Sequence, residues 1–258
     1  MKKLIFSDIN DTIKTPDGYI SEYCIDTLKS VKDKVEFVLV TGKNRQKTEE
    51  FAKCYGGSRY IITSNGGEVF DTITRKTIYY ERIPDQAVKE LYSLALKYKL
   101  RLILNVTEDY RFTTKQKYFD GSEKTFDKID EVINNYNVIG MVFNEIKDRD
   151  IPKIKLEIFS SEGVVIANQE KSKSNNIIDV ISAYANKGVA IKKLIRYLNT
   201  NYDDTISIGN EKNDIPMFSA THYNIAVENA CEEIKAMVDE VIDSVKNDGV
   251  AKYLQRFV

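Results

Sequence analysis

Asp8-Ile9-Asn10-Asp11-Thr12 follows a short apolar run, Lys3 to Ser7, at the start of the 258-residue sequence. A carboxylate held at the end of a strand can attack phosphorus once a cation screens its charge. Downstream, Thr41-Gly42-Lys43 offers a hydroxyl and a backbone N–H that can hold a phosphoryl oxygen. Lys187-Gly188 sets a cation at the start of a helix, and Gly209-Asn210-Glu211-Lys212-Asn213-Asp214 makes an acidic, amide-rich loop. Magnesium takes hard oxygen ligands and keeps several waters, so one or two carboxylates plus a phosphate suffice for it. Phosphoryl transfer is mostly positioning and charge neutralisation, and these segments supply a carboxylate, a hydroxyl, a lysine and a metal loop. Singly, each has an ordinary explanation: a turn residue or helix cap for the Asp, a common turn for Thr-Gly, a solvated Lys, an Asx-turn for Asn-Asp. Their order along the chain, each at the end or start of a core element, favours the chemical reading.

The elements that must position these groups follow from apolar patterning. Lys3 to Ser7, Val35 to Val40 and Tyr60 to Thr63 read as buried strands, and Ile20 to Val31 and Asn44 to Tyr55 as the helices between them, with Ser21 as N-cap and Gly56-Gly57 as a stop. Strand and helix alternate, and each strand ends in small or polar residues, which predicts a parallel sheet with crossover helices. Asp8, Thr41 and Asn65 fall at the carboxyl ends of those strands, where open α/β sheets bind ligands. The pattern changes after Tyr80. The sequence predicts a helix from Pro84-Asp85 to Tyr98, strands over Leu100 to Val106 and Tyr110 to Thr113, a helix over Glu123 to Tyr136, and strands over Val138 to Phe143, Ile154 to Phe159 and Val164 to Asn168. Strands clustered in this way predict an α+β unit. The first pattern resumes from Lys187: a helix over Val189 to Leu198, a strand over Thr205 to Ile208, a helical turn over Pro216 to Ala220 and a strand over Tyr223 to Val227. The expected organisation is an α/β core of residues 1–81 and 184–258 interrupted by an α+β domain of residues 82–183.

Composition is that of an ordinary globular chain, 42% hydrophobic and 30% charged. With 38 Lys+Arg against 39 Asp+Glu, the net charge of −1 carries no nucleic-acid footprint. The apolar run after Lys2-Lys3 is too short for a signal segment, and no stretch reaches membrane-spanning length, so no membrane partner and a cytoplasmic location are expected. Cys24, Cys54 and Cys231 are odd in number and far apart, which fits reduced thiols better than a disulfide frame or zinc site. Cysteine catalysis would want a His partner, and the single His222 reads as structural or incidental.

Taken together, the motifs resemble those of haloacid dehalogenase-like (HAD-like) phosphatases of the Cof type, subclass IIB. The family's opening Asp-x-Asp-x-Thr matches Asp8 to Thr12, its Thr-Gly-Arg matches Thr41-Gly42-Lys43, and its Asn-Gly loop matches Ser64-Asn65-Gly66-Gly67. Its Lys-Gly matches Lys187-Gly188, and its Gly-Asp-x-x-Asn-Asp matches Gly209 to Asp214. Ala226-Val227-Glu228-Asn229-Ala230 and Asn247-Asp248-Gly249-Val250 are also family-like. The likeness runs along the whole chain and is weakest from about Glu81 to Ala183. It implies a HAD-like Rossmannoid parallel-sheet core with an inserted α+β cap, Mg²⁺ as cofactor, and a small phosphorylated metabolite, such as a sugar phosphate, as substrate. Asp8 resembles the nucleophile that forms an aspartyl-phosphate. Thr41 and Lys187 resemble the phosphoryl-oxygen clamps, with Lys187 also screening Asp8 and Asp214. Gly42, Asn65 and Asn213 resemble substrate or loop-ordering contacts. The metal ligands implied are Asp8, the carbonyl of Asn10, Asn210 and Asp214. The cap is expected to lie over the site and exclude water, and its Tyr110, Arg111, Lys115, Lys117 and Tyr118 are either substrate contacts or ordinary surface residues. The sequence carries no sign of oligomeric state.

Two positions depart from the family pattern. Asn10 stands where the family has its acid/base Asp, and an amide cannot exchange a proton usefully near neutral pH; such help is typically worth about 10²–10⁴-fold. Asn210 stands where the metal loop begins with Asp, which keeps an oxygen ligand and removes a charge. Three explanations stand: an impaired or repurposed phospho-ligand-binding pseudoenzyme, an active enzyme that uses Asp11, Glu211 or substrate groups instead, or a sequence altered to trap a complex.

Overall fold

Strand β1 (Lys3–Ser7) sends Ile5 to one face and Leu4 and Phe6 to the other. A strand apolar on both faces must be covered on both. The computed structural model describes residues 2–117, 121–171 and 176–258. Its first sheet has eight strands in the order β14 (Glu240–Ile242), β13 (Tyr223–Val227), β12 (Thr205–Gly209), β1, β2 (Val35–Val40), β3 (Tyr60–Thr63), β4 (Glu68–Asp71) and β5 (Lys76–Tyr80). The pairs from β14 to β3 are parallel, and β4 returns antiparallel to β3. Helices Glu22–Ser30, Arg45–Lys53 and Gly249–Leu254 cover one face through Leu28, Ala52, Val250 and Leu254. Helix Lys187–Leu198 covers the other through Ala190, Ile191 and Leu194, joined by Met217. Each buried Val, Leu, Ile or Met side chain among these stabilises the fold by about 1.5–3 kcal/mol.

Helix starts in this unit are set by local chemistry. Ser21, Asn44 and Asn186 each adopt extended backbone and accept an N–H from the first helical turn. Asn44 ends the loop that bears Thr41 and Gly42, and Asn186 starts the helix that bears Lys187.

Contacts divide the chain into one unit of Met1–Tyr79 with Asn186–Val258 and another of Tyr80–Ala185. The second unit has a six-stranded sheet in the order β10 (Val164–Lys171), β11 (Asn176–Ser182), β9 (Val138–Ile146), β6 (Arg101–Val106), β7 (Arg111–Thr113) and β8 (Glu123–Thr125). Leu102, Leu104, Met141, Phe143, Ile178 and Val180 pack from one face of it against helices Asp85–Lys97, Ile129–Asn135 and Ile151–Ser160.

This unit also holds the two clear corrections to the sequence reading. Residues 154–159 are helical, within Ile151–Ser160, where a strand was expected. Ile154, Leu156 and Ile158 alternate like a strand, but only Ile154 and Ile158, one helical turn apart, are buried, while Leu156 is 68% exposed. Pro152 stands in the first turn, where a missing N–H costs nothing. The helix expected over Glu123 to Tyr136 begins only at Ile129, because Glu123–Thr125 pairs with β7 and Glu123 is drawn inside by Arg101 at 2.5 Å. Strands β4, β5, β11 and β14 were not anticipated. Of the cysteines, Cys24 is buried, Cys54 and Cys231 are exposed, and all three are free. Among the described residues no helix is long and apolar enough to cross a membrane.

Candidate active site

Parallel register sets the site. Ser7 of β1 lies beside Ile208 of β12 and Leu39 of β2, and Val40 lies beside Ile62 of β3. The Asp8 N–H continues the ladder by donating to the Ile208 carbonyl at 3.0 Å, and the Thr41 N–H donates to the Ile62 carbonyl at 2.9 Å. Asp8, Thr41, Asn65 and Asn210 therefore each stand one or two residues beyond the carboxyl ends of four neighbouring strands.

Helix Lys187–Leu198 brings the lysine in. Its Nζ lies 2.6 Å from Asp8 Oδ1 and 2.6 Å from Asp214 Oδ1, and its side chain is 1% exposed. Two carboxylates thus share one ammonium inside the protein. Burial pushes the Asp8 carboxyl up to about 7; Lys187 opposes that rise, and Asp214 adds to it. Burial works against the charge on Lys187, but Asp214 and Asp8 together outweigh it and hold the ammonium above its ordinary range.

The acidic loop is held by its own backbone. Asp214 Oδ2 accepts the N–H groups of Asn210 at 2.9 Å and Glu211 at 3.0 Å, so both of its oxygens are engaged. A Cβ at Gly209 would lie 2.7 Å from the Asp214 Cβ, which explains the glycine there. Asn210 is buried, and its Oδ1 accepts the Thr12 hydroxyl at 2.9 Å. That contact joins the opening motif to the acidic loop. Sequence reasoning gave Thr12 no role, although its place as the last residue of the opening motif was the available signal.

Asn10 is exposed at the surface of the Asp8 loop. Asp11 adopts the left-handed conformation at φ 56°, and its Oδ1 is buried without a hydrogen-bond partner. Its carbonyl accepts from Asn229 Nδ2 at 2.7 Å, while Asn229 Oδ1 accepts the Val245 N–H at 2.9 Å. Asn229, in one family-like segment near the carboxyl terminus, thus holds the Asp8 loop from outside.

Thr41 is buried, and its hydroxyl oxygen accepts the Lys43 N–H at 3.2 Å, so its proton can be donated elsewhere. Ser64 and Asn65 donate their N–H groups to the carbonyls of Lys43 at 2.9 Å and Thr41 at 3.0 Å. Asn65 Oδ1 accepts from Asn213 Nδ2 at 3.2 Å, and Asn65 is 6% exposed. Gly42 approaches the Asn65 amide so closely that a Cβ would sit 2.9 Å from Nδ2. Asn65 and Asn213 thus bond to each other, and Gly42 packs beneath them. Of the cap residues named from sequence, Tyr110 packs edge-on against Phe112 and Tyr136, and Arg111 lies 3.2 Å from Glu123. The Lys115 carbonyl accepts from Arg101 Nε at 2.8 Å, and the Lys117 N–H donates to Glu123 at 2.9 Å. Tyr118 lies outside the described residues.

The donor chemistry fits a divalent cation of the magnesium type. Asp8 and Asp214 set two carboxyl groups against the single Lys187, and oxygen donors stand at Asp8 and Asn210. Among the described residues no three His, Cys, Asp or Glu side chains gather as a metal cage. Magnesium keeps waters and takes substrate oxygens, so it does not require one.

Comparison with known proteins finds relatives along nearly the whole chain. A model of the haloacid dehalogenase-like hydrolases matches residues 5–254. The chain is 24% identical over 270 residues to the 5-amino-6-(5-phospho-D-ribitylamino)uracil phosphatase YitU of Bacillus subtilis (strain 168), covering 98% of this chain and 97% of that protein. Its fold is similar to that of a haloacid dehalogenase-like hydrolase from Bacteroides thetaiotaomicron, with TM-score 0.81, 19% identity and full coverage of both chains. It is similar also to a HAD subclass IIB sugar phosphatase, with TM-score 0.73, 22% identity and 99% coverage of each chain.

Proposed function

This chain belongs to the haloacid dehalogenase-like hydrolase family, and on that premise we propose that it transfers the phosphoryl group of a small phosphorylated metabolite, in the manner of a sugar phosphatase, to Asp8. The observation that carries the proposal is the Lys187 ammonium at 2.6 Å from both Asp8 and Asp214 at the end of β1. A carboxylate so placed is oriented and partly screened, yet keeps an oxygen for attack. In the proposed step an Asp8 oxygen bonds to phosphorus as the ester P–O bond breaks, and the leaving oxygen takes a proton from solvent. Thr41 and Lys187 hold phosphoryl oxygens through O–H and N–H donors, while Asn65, Asn213 and Gly42 shape the loops around them. Water then cleaves the acyl-phosphate, regenerating Asp8 and releasing phosphate. Bound Mg²⁺ would supply charge neutralisation between carboxylate and phosphoryl oxygens. Asp8, the Asn10 carbonyl and the Asn210 amide oxygen would hold it, with Asp214 contributing charge.

Asn10 favours slow release. It can hydrogen-bond to the leaving oxygen or to the attacking water but cannot exchange a proton with either, so both steps lack a help worth about 10²–10⁴-fold. This supports a second reading, a pseudoenzyme that binds a phosphorylated ligand without turnover. Phosphate release from a panel of sugar phosphates with Mg²⁺ separates the two. The phosphatase reading expects slow, Mg²⁺-dependent release by the unmodified protein, a gain of roughly 10²-fold or more in Asn10→Asp, and none in Asp8→Ala. Ligand binding with no release at any pH supports the pseudoenzyme, and release that survives in Asp8→Ala removes Asp8 from the mechanism.

A further inference from the structure

We infer that the buried Arg45–Glu68 ion pair is a positioning device for the phosphate side of the site: it holds the strained Ser64-Asn65-Gly66 loop on which Thr41, Asn213 and the start of the Lys187 helix all bear. The inference rests on the phosphatase reading above and adds two residues that the motifs do not contain.

The loop is where the clamps meet. It receives the Thr41 and Lys43 carbonyls on the N–H groups of Asn65 and Ser64, and the Asn213 amide on Asn65 Oδ1. On its other side Gly66 abuts the residue before Lys187 so tightly that a Cβ would lie 2.2 Å from the Asn186 carbonyl oxygen. A displacement of this one loop would move Thr41, Asn213 and Lys187 together.

One bond closes the loop from within, the Gly67 N–H donating to the Ser64 carbonyl at 3.0 Å, and its conformation needs more than that. Ser64 and Asn65 are consecutive left-handed residues at φ 51° and 54°, ahead of Gly66 at φ 96°. Left-handed non-glycine residues persist only where the surroundings over-determine them. The Ser64 hydroxyl is buried with no hydrogen-bond partner, so it does not stabilise its own turn. The constraint comes from beneath. Arg45 follows the Thr41 loop, and Glu68 follows the Asn65 loop. The guanidinium meets the carboxylate with two prongs, Nε to Oε2 at 3.1 Å and Nη2 to Oε1. Thr63 and Thr77 hydroxyls donate to the same carboxylate at 3.3 and 2.9 Å, and Arg45 lies over the Phe70 ring at 3.9 Å. The side chains are 5% and 1% exposed. A buried pair is a poor source of net stability, but a fork-to-carboxylate contact fixes distance and angle in a way no apolar pair can. Its effect is to clamp the two loop bases to each other.

The test uses the full chain with Mg²⁺ and inorganic phosphate as the probe. Phosphate affinity is measured by titration calorimetry, and hydrogen exchange is followed over the 64–66 segment. Glu68→Gln and Arg45→Lys are expected to weaken phosphate at least roughly tenfold and to speed exchange at the loop. Thr77→Val, which removes one bond to Glu68 and one from Arg45 but leaves the pair, keeps the test open should those variants fold poorly; it is expected to show the same two changes at smaller size. Ala52→Gly weakens the helix that bears Arg45 without touching the pair, and phosphate affinity is expected to stay within about twofold. If loop exchange and phosphate affinity in the pair variants match the unmodified protein, or if Ala52→Gly loses affinity as they do, the positioning role is overturned while the phosphatase reading stands. If the unmodified protein binds no phosphate, that reading fails and the inference falls with it.

Discussion

Asn210 shows how far a single side chain can be read. Its place in the acidic loop was legible because Gly209 and Asp214 bracket it, but its partner was not. The Thr12 hydroxyl reaches it across 198 residues, and no local spacing encodes such a contact. The same holds for Asn229, whose two-armed bridge from Asp11 to Val245 is visible only in the fold. Asn210→Asp keeps the acceptor for Thr12 and adds a negative charge to the oxygen donors. Mg²⁺ affinity, measured by titrating the metal against melting temperature, should rise roughly tenfold, since one more charge beside a divalent ion is worth more than 1 kcal/mol even at an effective dielectric near 20. An unchanged midpoint would place the metal away from residue 210.

Among elements, the strands that bear the site were the most legible. β1, β2 and β3 have the bounds their apolar runs predicted, because a strand buried on both faces leaves a near-continuous apolar signature. The helix Ile151–Ser160 was misread because its alternating Ile and Leu residues imitate period two, and only burial shows which of them face the core. Helix Lys187–Leu198 is held to its place by a glycine. A Cβ at Gly188 would lie 2.1 Å from the Pro216 carbonyl oxygen, which belongs to backbone and cannot swing away. Gly188→Ala should therefore push the helix start outward and carry Lys187 with it. Overpacking of this kind costs about 1–3 kcal/mol, so the melting temperature should fall by roughly 2–10 °C in a chain of this size. Phosphate release should drop along with it. Wild-type stability in that variant would show that the contact relaxes without moving the helix.

At the scale of the whole molecule, alternation of strand and helix marked the α/β core, and its interruption marked the α+β insert. The unit Tyr80–Ala185 has an apolar cluster drawn entirely from its own residues, from Ile83 to Val180, with its own six-stranded sheet. A unit that owns its core should fold alone. A fragment of residues 80–185 is expected to melt cooperatively, as followed by circular dichroism at increasing temperature. A gradual, non-cooperative melt would mean that the insert needs the core to complete its structure. Sequence could not give the sheet order here, because β9 is set by long-range pairing, between β6 and β11.

All three scales meet at Asp8, the buried carboxylate that shares Lys187 with Asp214. The most direct test is to react the protein with an activated phosphate ester and Mg²⁺, quench in acid, and locate the added phosphoryl group by mass spectrometry. On the proposed role of Asn10, which would slow the water step more than attack on a good leaving group, phosphate is expected to accumulate on the peptide that contains Asp8, and to disappear in Asp8→Ala. Sustained phosphate release with Asp8 unlabelled, or a label that persists in Asp8→Ala, would contradict the account.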